Sequence, residues 1–141
     1  MIVKIENGKL EQAIGLLFNL PAKGIKSVRK TKFVKLLNER LKEVDEQRQE
    51  LAKEHSNLDE NGKAKTVGDK FDIKDMDAFQ KDVKELFGEE MVFEGADVQK
   101  MLKTVKQILE ESEKEWEGQE SMTYAYLCEA FGAFEEGGDE K

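Results

Sequence analysis

The feature that most constrains the fold is an unbroken helical pattern between Gly24 and Ser56. Apolar residues there recur every three or four positions, the spacing with which two helices pack side by side. No Gly or Pro follows Gly24 within the stretch, and good helix formers dominate it. The pattern predicts one helix of about 45 Å, which either projects from the domain or pairs with a comparable helix. Its seam consists of Val34, Leu37, Leu41, Val44, Arg48, Leu51, His55 and Leu58.

Burial and charge both change along this predicted helix. Phe33 and Leu36 widen its apolar face near the start, so the first half is expected deep in a core and the second half more solvated. Eight basic residues face one acid between positions 23 and 42, whereas acids dominate from 43 to 60. The basic run forms either a solvated face or a patch for an acidic partner or a phosphate backbone. Candidate contact residues are Lys26, Arg29, Lys30 and Lys32, with Arg48 and His55 further along the helix.

The whole pattern predicts a mainly helical α+β domain over residues 1–134, with a flexible acidic tail over 135–141. Two long antiparallel helices, shorter helices and a minor sheet or hairpin make up the domain. Short strands are expected at Met1–Ile5 and Met91–Phe93, and the two are expected to pair with each other. Asn7 is a candidate N-cap for a short helix with Phe18 on its apolar face, which Pro21 ends.

Turn and capping signals divide the middle of the chain. An Asn-Gly turn at 61–62 ends the long helix. Lys63–Ile73 forms either two short strands or an ordered loop, and the sequence does not separate these alternatives. Asp72 or Asp75 then caps a helix that Gly88 is expected to close as a left-handed C′ residue.

Two further helices are predicted towards the C-terminus. The segment from Ala96 to about Glu115 has a broad apolar face and is the expected mate of the long helix. Ser121 is the expected cap of a final helix, which is apolar on nearly every side and is therefore either buried or part of a subunit interface. Its aromatic candidates for contact with a partner are Tyr124, Tyr126, Phe131 and Phe134.

Composition restricts the class of protein. The chain has 141 residues, of which 38% are hydrophobic and 38% charged, enough for one domain with a real core. A single cysteine, the lack of a signal-like leader and the lack of a long apolar run predict a soluble protein of a reducing cytoplasm, away from membranes. The net charge of −8 disfavours general binding to nucleic acid.

Candidate sites for chemistry do not withstand inspection. Asn57–Gly62 resembles the opening of an EF-hand calcium loop, but Lys65 and Gly68 occupy later ligand positions, so a polar turn is expected. His55 is the single histidine, and the usual zinc ligand sets cannot be assembled. Cys128 lies on an apolar stripe rather than on a nucleophile turn. We therefore predict no catalytic residue, cofactor or metal site, and a protein that is not an enzyme.

Four segments together resemble a family of small proteins encoded by bacteriophages and prophages of Gram-positive bacteria. These are Leu20–Gly24, Arg29–Leu37, Asp59–Gly62 and Phe71–Phe87, and the likeness extends to about Phe93. The resemblance implies a phage origin and a role inside the infected cell. The resemblance does not identify any active-site residue in this chain.

The leading functional hypothesis is a phage protein that binds another protein, such as a host factor or a defence component. A virion assembly or tail-associated protein is the first alternative, with self-association through the seam and the aromatic helix. The second is an acidic DNA mimic, because residues 110–141 carry eleven acids against two lysines. Nucleic-acid binding by the basic run ranks last. The identity of the partner, the oligomeric state and the choice between virion-resident and early host-takeover roles stay open.

Overall fold

A computed structural model describes residues 1–135 of the chain. Within this range the chain forms α-helices and two antiparallel strand pairs, so the predicted mainly helical α+β class is confirmed. Most of the predicted acidic tail, residues 136–141, lies outside the described residues. The elements are β1 (Val3–Glu6), α1 (Leu10–Phe18), α2 (Ile25–Glu54), β2 (Thr66–Val67), β3 (Lys70–Phe71), α3 (Met76–Gly88), β4 (Glu90–Phe93), α4 (Gln99–Glu111) and α5 (Gly118–Phe131), with 3₁₀ turns at Asn7–Lys9 and Ala96–Val98.

The predicted long helix is α2, whose 30 residues end close to the expected boundaries. Gly24, at φ 58°, supplies the left-handed backbone from which the chain enters the helix. Phe33 and Leu37 in the first half are fully buried, because α1 and α4 pack against this half. In the second half, which packs against α3, burial is limited to Val44 and Ala52. The predicted decrease in burial along α2 is therefore confirmed.

The second long helix is shorter than predicted, because α4 ends at Glu111 rather than near Glu115. Its apolar row stops at Leu109, and the residues that follow are charged or polar, with nothing to bury against α2. Ser112 accordingly takes an extended conformation. The two helices run antiparallel, since Lys26 at the start of α2 forms an ion pair with Glu111 at the end of α4.

The N-terminal strand pairs with β4, as predicted. The pairing is antiparallel and places Val3 opposite Phe93 and Ile5 opposite Met91. The three side chains of Val3, Ile5 and Phe93 are buried and close the core over the first half of α2. Between α2 and α3, β2 and β3 form a short hairpin, so the strand alternative for residues 63–73 is the one observed.

Two predicted helix caps are wrong. Asn7 does not cap α1: its Nδ2 donates to the carbonyl of Leu86 at 2.8 Å, and its Oδ1 accepts from Nε of Arg40 at 3.0 Å. The buried amide thus links the end of β1 to α2 and α3, a tertiary use that local sequence does not reveal. Ser121 lies inside α5, which begins three residues earlier at Gly118.

Two further local predictions need correction. Phe18 is 73% exposed, because the buried side of α1 is centred on Ala13 and Leu17 and includes Leu16 instead. Gly88 is the last residue of α3 and does not have the left-handed backbone expected of a C′ residue. The next residue is already extended because β4 follows at once. Asp75, one of the two predicted caps of α3, accepts from the amide of Ala78 at 3.2 Å.

Candidate protein-interaction surface

Three of the four basic candidate contact residues, Lys26, Arg29 and Lys30, are engaged within the chain. Lys30 is 8% exposed, and its Nζ donates to the carbonyl of Leu20 at 2.5 Å, at the chain reversal between α1 and α2. Burial lowers the pKa of Lys30 below its ordinary value. The ammonium group therefore acts as a link in the core rather than as a contact for a partner.

Lys26 and Arg29 face α4. Nζ of Lys26 lies 3.2 Å from Oε1 of Glu111, and Nη1 of Arg29 donates to Oγ1 of Thr104 at 3.3 Å. Both side chains are half-buried and hold α2 to α4. Of the four predicted contact residues in this half, Lys32 is exposed.

The two candidates in the second half of α2 also contact neighbours. Arg48 forms an exposed ion pair with Asp45, one turn earlier, at 3.1 Å. His55 follows the last residue of α2, and its Nε2 lies 2.7 Å from Oδ2 of Asp82 on α3. The imidazole also meets the edge of the Phe79 ring, with 5.8 Å between ring centroids. His55 thus fastens the end of α2 to α3.

The aromatic candidates on α5 are divided between core and surface. Phe131 is buried, with its ring 5.5 Å from that of Phe33. The hydroxyl of Tyr126 accepts from the amide of Glu6 at 3.0 Å, and burial raises the pKa of this tyrosine. Phe134 is the exposed member at 62%. Phe131 and Tyr126 therefore hold one side of α5 in place, whereas Met122 on the same helix is 68% exposed, so α5 is not buried on every side.

Tyr124 forms a second buried connection. Its hydroxyl donates to the carbonyl of Leu109 near the end of α4. Its ring stacks on Trp116 at 4.8 Å, and Nζ of Lys114 lies 4.8 Å from the Trp116 ring centre on the segment between α4 and α5. Burial raises the pKa of Tyr124 to about 12.

The longest exposed feature of the described chain is a second row of residues on α2, opposite the buried seam. Its members recur every three or four positions, and every one of them is exposed. We call it the outer row. It consists of Ile25, Val28, Lys32, Lys35, Glu39, Lys42, Glu46, Gln49 and Lys53.

The outer row begins with two apolar side chains that sequence reasoning overlooked. Ile25 is 59% exposed and Val28 is 61% exposed. The signal was present in the sequence, since tracing the seam backwards leads to Lys30 and Ser27 and leaves both apolar residues on the other side. Exposed apolar residues one turn apart on a charged helix are the pattern used for docking into a partner.

Two shallow grooves on the outer surface of α2 differ in the charge of their lining residues. A shallow groove of about 320 Å³ near the start is lined by Val28, Lys32 and Lys35, with Ser27 and Thr31. Further along, another groove of about 460 Å³ is lined by acids and amides, namely Glu43, Glu46, Gln47, Gln49 and Glu50. The first groove is therefore apolar and basic and the second is acidic, while the outer row itself also carries Glu39 in its first half and Lys42 and Lys53 in its second.

A third groove extends the acidic surface onto α3. It has a volume of about 520 Å³, and Leu51 and Leu86 contribute apolar surface to it. Its other lining residues are Gln47, Glu50, Glu54, Asp82, Glu85 and Glu89.

A cleft of about 710 Å³ lies between the reversal at 19–23 and the end of α4. Lys23, Lys26 and Lys114 line it together with Glu111 and Glu113, so charges of both signs are mixed there. Within residues 1–135, no group of three or more His, Cys, Asp or Glu side chains is arranged to hold a metal ion.

Two regions considered above as possible chemical sites are the Asn57–Gly62 turn and Cys128. The Asp59 carboxylate accepts from the backbone amides of Asn61 and Lys63, which makes a local polar turn. Cys128 is buried, and burial raises the pKa of its thiol. In the described part of the chain, no helix has the length and apolar character needed to cross a bilayer.

Comparison with known proteins identifies no relative of this chain. No protein-family model matches the chain, and neither the curated proteins nor the solved structures contain a significant match to it.

Proposed function

We propose that this chain is a phage-encoded, non-enzymatic protein that acts in the cytoplasm of the infected bacterial cell by binding another protein, such as a host or defence factor. The phage setting comes from the resemblance of its first 93 residues. The binding role is supported by one observation above others: Ile25 and Val28 are exposed beside Lys32 and Lys35 on the first half of α2.

This surface suits an acidic partner with a narrow apolar cleft. Burying a side chain such as Ile or Val fully contributes about 1.5–3 kcal/mol, and the two lie one helical turn apart, so both can enter the same cleft. Lys32 and Lys35 continue the row beyond them and would attract and orient an acidic surface. The lysines would orient the partner as it approaches, and burial of the apolar pair would supply binding free energy.

The test compares partners captured from host or infected cells by matched variants of the whole protein. V28D/K32E removes the apolar residue and reverses a charge on the outer row, while M122D/K103E makes the same kinds of change at exposed sites on α5 and α4. We expect a partner that the wild type and M122D/K103E retain and V28D/K32E loses. The proposal fails if no reproducible partner is recovered, or if both variants retain it equally.

A virion assembly or tail-associated role is the second candidate. It is favoured by the length of the outer row, which presents a repeating exposed face over the whole of α2. Mass spectrometry of purified virions tests this role, since a virion component must be present in stoichiometric amount.

The other two alternatives have weaker support. An acidic DNA mimic would draw on the groove lined by Glu50, Asp82 and Glu85 rather than on residues 110–141, part of which lies outside the described range. Nucleic-acid binding by the basic run has fewer free cations than expected, because Lys26, Arg29 and Lys30 are engaged.

A further inference from the structure

We propose that a second copy of this chain docks antiparallel along the outer row of α2 and forms a two-fold dimer. The proposal goes beyond binding of a foreign partner, because here the occupant is the chain itself. It rests on the spacing, the exposure and the charge order of the outer row.

The spacing and exposure of the row make α2 suitable for side-by-side packing. The nine positions alternate steps of three and four from Ile25 to Lys53, which is the periodicity of helices that pack along their length. Each position is exposed, so α1, α3, α4 and α5 leave the row open. With 30 residues, α2 presents about 45 Å of helix to a neighbour.

Charge order selects an antiparallel arrangement. The charged members of the outer row are Lys32, Lys35 and Glu39 in its first half and Lys42, Glu46 and Lys53 in its second half. A parallel two-fold neighbour would place every charge level with its own copy, whereas an antiparallel neighbour can place Lys35 level with Glu46 and Glu39 level with Lys42. A two-fold axis across the helix relates the copies in this way and makes the surface complementary to itself.

Individual pairs select the register. With the two-fold axis level with positions 40 and 41, Lys35 of each copy lies opposite Glu46 of the other, and Glu39 lies opposite Lys42. Each pair occurs twice, giving four contacts between opposite charges. Lys32 then lies close to the level of Glu50.

Neighbouring registers bring like charges together. Sliding the second copy by half a heptad, so that the axis moves towards the start of α2, places Glu39 against its own copy, and sliding it by a full heptad places Lys32 against Lys42. Sliding it by half a heptad in the other direction places Glu39 against Glu46. Like charges that face each other disfavour these alternatives.

The ends of the row add apolar surface to the same register. Val28 lies level with Lys53 of the second copy, whose methylene chain can cover it. Ile25 is level with position 56 of the second copy, just beyond the end of its α2. One helix against another buries less than about 1,200 Å², the range of weak and transient complexes. We therefore expect a reversible dimer that weakens with salt.

Sedimentation velocity on the full chain tests the arrangement. The wild type should dimerise at about 0.05 M salt and dissociate at about 0.5 M salt. K35E and E46K should each weaken the dimer about tenfold, because each creates two pairs of like charges. A mixture of the two variants should recover wild-type dimerisation to within about threefold, since a heterodimer of K35E with E46K again contains only opposite pairs.

Matched controls separate this register from a general effect of charge. K103E and E120K change the same charges at exposed positions on α4 and α5 and should dimerise as the wild type does. Circular dichroism should show the same helix content in every variant, because Lys and Glu are both good helix formers.

Three outcomes would overturn the proposal. One is a wild type that stays monomeric at low salt up to about 1 mM protein. Another is a dimer that K35E and E46K leave unchanged, and the third is a mixture no better than either variant alone. None of them decides whether a foreign partner is captured, because V28D/K32E and its control are scored by the protein recovered from cells and not by self-association.

Discussion

The two halves of α2 are held in different ways. In the first half Phe33 and Leu37 are completely buried in the common core, between α1, α4 and the strand pair. In the second half burial is sparse, and no residue within Met76–Gly88 of the opposing α3 is fully buried. Polar links such as His55 to Asp82 supplement this smaller apolar contact. One continuous helix therefore belongs to a firmly packed region at one end and a loosely packed region at the other.

The difference implies unequal local stability. Regions with few buried apolar contacts open at lower free energy than the core, even when the backbone helix is continuous. We expect α3 and the β2–β3 hairpin to open before α1, α4 and α5 separate. The charged outer row crosses both regions, so a partner bound along it would join them.

The largest expected loss of stability comes from removing a core side chain in the first half of α2. Phe33→Ala should lower the free energy of unfolding by about 3–5 kcal/mol, because it removes a fully buried ring and leaves a cavity beside Phe93 and Phe131. Phe18→Ala is the matched control, since the ring of Phe18 is largely exposed and its removal should change the free energy by less than about 0.5 kcal/mol. Urea denaturation measures both values. Similar losses in the two variants would contradict the assignment of the core.

An intermediate effect is expected in the loosely packed half. His55→Ala removes the contact with Asp82 and the packing on Phe79, and should cost about 1–2 kcal/mol. Hydrogen exchange should accelerate in α3 and the hairpin while amides of α4 keep their protection. Arg48→Ala, which removes an exposed pair with Asp45, should change exchange little. Uniform acceleration in both halves would show that they open as one unit.

The smallest expected effect at neutral pH concerns a single hydrogen bond that joins α5 to the end of α4. Tyr124→Phe removes the hydrogen bond to the Leu109 carbonyl and should cost about 1 kcal/mol. The folded pKa of about 12 exceeds the ordinary value of 10.0, so the Tyr124 contribution is complete below pH 10 and is lost as pH rises towards 12. The difference in stability between wild type and variant should shrink over this interval in chemical denaturation at each pH. A difference that stays constant to pH 12 would contradict the prediction.

Periodicity made the main architecture predictable. The seam of α2 repeats over many turns, and its mate in α4 and the short strand pair follow from equally local patterns. The ends of elements were less predictable, because they depend on what lies opposite. Residues 112–115 lie within the predicted helix, but none of them has an apolar side chain to bury.

Polar residues with tertiary roles were beyond sequence reasoning. Nothing local distinguishes Lys30, which is buried against Leu20, from Lys32, which is exposed two positions later. Asn7 has the residue type of a helix cap but connects three elements instead. By contrast, Ile25 and Val28 could have been assigned to the outer row from their position off the seam.

The position of the single tryptophan decides what fluorescence can report. Trp116 stacks on Tyr124 beside the end of α4, far along the chain from the hairpin and α3. Its emission will follow the separation of α5 from α4 and will stay nearly constant while α3 and the hairpin open. An unfolding curve recorded by tryptophan emission alone will therefore look like a single step, and a second probe placed near α3 is needed to see the earlier one.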